Sequence, residues 1–98
     1  MIKSDYLAKN TDGQTINMRV CIGVPEHDPE SENGDFRCLV EVAGFGFSEY
    51  AYGADAIQSY CLAMRCLRHF FEPLVLKGWK FYFPQDLAHD VDLLNHYF

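Results

Sequence analysis

Three carboxylates alternate along Asp28, Glu30 and Glu32. Calcium would suit that spacing, because an EF-hand loop draws its first oxygen ligands from alternate positions. The rest of the stretch does not follow the pattern. Counted from Asp28, glycine falls at the seventh position (Gly34) rather than the sixth, and the twelfth is Leu39, which has no closing carboxylate. A solvated or protein-docking loop is the expected role, and no metal site is expected. Histidines stand at 27, 69, 89 and 96. His89 and His96 would share a face of a helical tail, but the ligating pair of a metalloprotease helix is only about four residues apart. Cysteines stand at 21, 38, 61 and 66 without a Cys-x-x-Cys pair, which reads as reduced thiols rather than a zinc site or a disulfide framework. No Gly-x-Ser-x-Gly elbow is present, and Gly44-Phe45-Gly46 lacks the third glycine of a phosphate cradle. A spatial pairing of Cys21 with His69 stays open, but nothing in the spacing favours it. No enzyme activity and no cofactor are expected.

Charge is the stronger signal. The 98 residues carry a net charge of −6. Residues 26–35 hold Glu26, Asp28, Glu30, Glu32 and Asp35, and residues 86–98 hold Asp86, Asp90 and Asp92, neither stretch with a Lys or Arg. Together they contribute −8, leaving +2 for the remainder. Such a surface repels nucleic-acid phosphates and attracts basic proteins. The opening residues are too polar for a secretory signal, and no apolar run reaches membrane-spanning length. A single cytoplasmic domain over residues 1–98 is expected, with no direct nucleic-acid or membrane contact.

The elements that would position these residues are readable from periodicity. Residues 2–8 read as a strand, and Thr11-Asp12-Gly13 as a tight turn. From Gln14 to Val24, Ile16, Met18, Val20, Ile22 and Val24 alternate with more polar residues, the mark of a half-buried antiparallel strand. Pro25 should end it, and the acidic stretch should form an exposed loop. A third strand places Phe36, Cys38, Val40 and Val42 inward, and Phe47 to Tyr52 forms a fourth after a glycine turn.

A long helix then opens at Asp55, with Gln58 completing a capping box. Ile57, Tyr60, Cys61, Met64, Leu67, Phe71 and Leu74 define its apolar face; Asp55, Ser59, Arg65, His69 and Glu72 lie opposite. Pro73 should end or kink it, with Lys77-Gly78 as the final stop. Trp79 to Phe83 suits a short fifth strand, and Gln85 to Phe98 a second helix. The expected class is α+β: a four- to five-stranded antiparallel meander, one long helix on one face, and a short C-terminal helix.

The run Tyr52-Gly53-Ala54-Asp55-Ala56-Ile57-Gln58, with Ile22-Gly23-Val24-Pro25 and the Cys38 strand, resembles a family of small uncharacterised bacterial domains with a Gly-x-Asp-x-x-Gln signature opening their main helix. That resemblance spans about Gln14 to Arg68 and implies the fold, not an activity. By type, a short, acidic, aromatic-rich α+β chain also resembles bacterial immunity proteins, which neutralise toxin domains delivered by neighbouring cells in contact-dependent growth inhibition. The expected function is binding and occlusion of a basic toxin or effector domain, such as a nuclease. The acidic residues named above supply charge, and Tyr50, Tyr52, Trp79 and Tyr82 are candidate aromatic anchors. The alternative is a small ligand-binding or regulatory domain with its pocket where the strands meet Asp55.

Overall fold

Alternation decides where the sheet begins. A computed structural model describes residues 1–98. In it, β1 (Ile2–Lys9) and β2 (Thr15–Ile22) form a hairpin in continuous register from Ile2↔Ile22 to Lys9↔Thr15. Tyr6, Ala8, Met18 and Val20 are buried on one face, and Asp5 and Arg19 meet across the other as a two-point ion pair, 2.6 and 3.1 Å. Gly13 sits at φ +83° in the turn, a backbone conformation that favours glycine.

β2 stops at Ile22 rather than Val24, and Val24 is 71% exposed. Pro25 does not hand over to a loop at once. A two-residue strand, β3 (Glu26–His27), rejoins the ladder against β4 (Phe36–Ala43), which also pairs with β2. β5 (Phe47–Gly53) lines the other side of β4 in unbroken register from Val42↔Phe47 to Phe36↔Gly53.

The long helix α1 (Ala56–Leu76) packs over β4 and β5. Its buried stripe is Ser59, Ala63, Leu67 and Phe71, rotated from the expected face. Ile57 is 76% exposed, and Tyr60 and Cys61 also face solvent. The cause is close approach. A Cβ on Gly53 would lie 2.5 Å from the Ser59 nitrogen, so only small residues fit where the helix meets the sheet. Ser59 tolerates burial because its hydroxyl donates to the Ala56 carbonyl at 2.9 Å. Pro73 does not end the helix, which runs one more turn to Leu76. The carbonyl that proline leaves without its usual partner belongs to exposed His69, where water can serve it. Gly78, at φ +91°, then closes the helix, with the Trp79 N–H donating to the Leu74 carbonyl at 3.0 Å.

After α1, β6 (Lys80–Phe83) returns to the free side of β1 and not to β5. The expected helix over 85–98 is replaced by a strand, β7 (Asp86–Val91), and a single turn, α2 (Leu93–His96). Pro84-Gln85 makes a two-residue link between β6 and β7, and pairing with β6 gives the main chain of β7 the partners a helix would have provided. Of the stripe that argued for a helix, Leu87 is exposed while Val91, Leu94 and Phe98 pack against the core from the strand and the turn, and Leu93, outside that stripe, is the segment's fully buried anchor. The α+β class holds, with seven strands rather than four or five, and a spatial order of β5, β4, β2 with β3, β1, β6, β7. One face carries α1, α2 and a core in which Phe71 touches Phe70, Phe81 and Phe98, with ring centroids 5.1–5.7 Å apart. No helix is long and apolar enough to cross a membrane.

Candidate functional site

The helix-free face of the sheet carries the charge pattern. At the end formed by β3, β4 and β5, the register sets Glu26 opposite Arg37 and Arg37 opposite Tyr52. The Arg37 Nε donates to Glu26 at 2.7 Å, and its guanidinium lies 4.3 Å from the centre of the Tyr50 ring. Hydrogen bonding to Glu26 raises the already high pKa of Arg37 further. Glu26 therefore belongs to an ion pair, not to a free acidic loop. Arg37 escaped the sequence reading because its partners lie on two other strands; only the cross-strand register reveals them.

The loop between β3 and β4 is ordered by its own main chain. The Asp28 N–H donates to the Asp35 carbonyl at 2.8 Å, Asp28 Oδ1 accepts from the Glu30 N–H at 3.0 Å, and Ser31 Oγ accepts from Asn33 and Asp35. No Lys or Arg forms an ion pair with Asp28, Glu30, Glu32 or Asp35. Glu30 and Glu32 are exposed. Beside this loop, Tyr50 and Tyr52 are 38% and 54% exposed, their rings 6.3 Å apart.

The remaining candidates lie elsewhere. Trp79 packs edge-on against Phe45 at 5.3 Å, partly buried on the core. Tyr82 stands on β6 between Leu7 and Asp90. In the acidic tail, Asp86 contacts the His89 ring at 3.1 Å. Asp92 caps α2 by accepting from the Asn95 N–H at 3.1 Å and its side-chain amide at 2.9 Å, and those bonds lower its pKa. The two acidic segments are thus separated by the width of the sheet. From β4 to β7 are four strand spacings, roughly 19 Å. His89 and His96, once placed on one helix, fall on β7 and α2. Cys21 is buried on the helix-free face, whereas His69 is exposed on α1 across the sheet, so that pair does not meet. All four cysteines are free; burial raises the thiol pKa values of Cys38 and Cys66, the latter also through the Glu49 charge. No three His, Cys, Asp or Glu side chains gather as a metal site.

The Gly53-x-Asp55-x-x-Gln58 signature has a structural account. Gly53 permits the close approach, Asp55 Oδ1 accepts from the Gln58 N–H at 2.7 Å, and Gln58 Oε1 accepts from the Ala54 N–H. None of the main cavities is lined by Gly53, Asp55 or Gln58. A cavity of about 400 Å³, lined mostly by apolar side chains, opens between α1 and the start of β1, walled by Ile2, Ile22, Met64 and Phe98, with Ser4, Tyr6 and His96 also in its lining. Compared with family models, curated proteins and solved structures, the chain matches none.

Proposed function

We propose that this domain is a protein-binding module of the bacterial toxin-immunity type, acting in the cytoplasm by occluding a basic toxin or effector domain. One observation carries the reading: four carboxylates without ion-pair partners crown the same end of the sheet that exposes Tyr50 and Tyr52. Unpaired carboxylates would steer a basic partner into contact, and aromatic rings backed by a rigid sheet would supply the contact area that slows its release. Glu26 and Arg37 hold Tyr50 in place rather than contribute charge. Affinity capture from a bacterial host lysate tests this. The expected result is one basic, stoichiometric partner retained by the wild type and lost from Tyr52→Ala; retention of that partner by both would remove this end of the sheet from the interface.

A second reading, a small-ligand domain, is favoured by the cavity beside α1, whose volume lies within the range of small-molecule sites. Its pocket would be walled by Met64 and Ile22, not placed at Asp55. A metabolite that raises the melting temperature of the wild type but not of Met64→Trp would support it.

A further inference from the structure

β5 is an edge strand that pairs with β4 alone. The Gly23 N–H donates to the Leu39 carbonyl at 2.8 Å, so the main-chain groups of Leu39 face β2 and β3. Direction alternates along a strand, so Cys38, Val40 and Val42 face β5 and bond to Ala51, Glu49 and Phe47. The main-chain groups of Ser48, Tyr50 and Tyr52 must then point away from the sheet, three N–H donors and three carbonyls in a row.

Natural sheets guard such edges with charge, proline or bulges. β7 at the opposite edge does: it carries Asp86, His89 and Asp90, and its pairing with β6 slips at Tyr82/Phe83. β5 has no proline, lysine or arginine, its register is unbroken, and its one charge, Glu49, lies on the helix side of the sheet.

We propose that β5 pairs antiparallel with β5 of a second copy about a two-fold axis through Tyr50, joining two sheets into one. The sequence of the edge fits itself in this register. Tyr50 opposes Tyr50, and Ser48 opposes Tyr52, so all three free residues of each strand find hydrogen-bonding partners. On the helix side Phe47 faces Gly53 and Glu49 faces Ala51, so every bulky residue there meets a small one, and no like charges stand directly opposite. The tyrosine rings remain on the open face, so the pairing neither requires nor blocks the partner reading above.

Light scattering and amide exchange on the full chain, followed over a dilution series, test the pairing. The mass should rise toward twice 11.3 kDa with concentration. The Ser48, Tyr50 and Tyr52 amides should slow in parallel, while those of Glu49 and Ala51 are protected throughout. Tyr50→Lys sets two lysines face to face and should weaken association roughly tenfold or more. Ser48→Pro removes one outward donor without touching the β4 ladder, and should weaken it as well. A monomer at every concentration overturns the proposal. So does a dimer with fast Ser48, Tyr50 and Tyr52 amides, or one indifferent to both substitutions. Protection of those amides only on adding a lysine-rich peptide would assign the edge to a foreign strand and overturn it too.

Discussion

The two acidic regions have similar composition and different employment. In the tail two of the three carboxylates build structure: Asp86 contacts His89, and Asp92 holds the first turn of α2 through Asn95. At the β3–β4 end that work falls to Gly53, Asp55, Gln58 and the Glu26–Arg37 pair, so Glu30, Glu32 and Asp35 contribute no side-chain bond. Counting acidic residues cannot separate the two cases. What matters is whether each carboxylate already has a partner.

The largest effect should come from the scaffold that frees the loop. Gly53→Ala places a methyl group 2.5 Å from the Ser59 nitrogen, where backbone cannot yield, and should cost about 3 kcal/mol or more in chemical denaturation. Little or no loss would mean that α1 sits farther from β5. In the tail, Leu93 is 1% exposed within the core, and Leu93→Ala should cost roughly 2–3 kcal/mol. A near-neutral result would detach α2 from the core.

A smaller effect separates the regions by pH. Bonding to Asn95 lowers the Asp92 pKa below its ordinary value of 3.8. A lowered folded-state pKa gives stability that is fully present above the ordinary value and lost as pH falls through the folded one. The Asn95 amide shift should therefore hold through mild acid and move only below the usual aspartate range; movement above that range would contradict the cap. Smallest of all, Glu30→Gln with Glu32→Gln should change stability by no more than about 0.5 kcal/mol, because neither side chain is bonded. A larger loss would show that the loop carboxylates serve the fold.

Much of this was legible in the sequence. The β2 alternation, the glycine turns, the Asp55–Gln58 box and the Gly78 stop all arise from local chemistry, and each has its counterpart in the structure. Three features were hidden because they depend on distant neighbours. The helix face was misjudged since Ser59 is polar by type, yet small enough to be the contact residue against Gly53. The tail was misread since an i, i+3, i+4 stripe around Leu87 and Val91 competes with pairing to β6, which periodicity cannot see. The Glu26–Arg37–Tyr50 group, which marks the candidate site, exists only through the register of three strands.

Association kinetics between the domain and its captured partner, measured for the wild type and for Glu30→Lys with Glu32→Lys at low and high salt, test the central claim most directly. The reversal should slow association at low salt by roughly tenfold or more, with unfolding unchanged and the difference shrinking as salt screens the charges. Equal association rates at low salt would contradict the claim that these free carboxylates meet the partner.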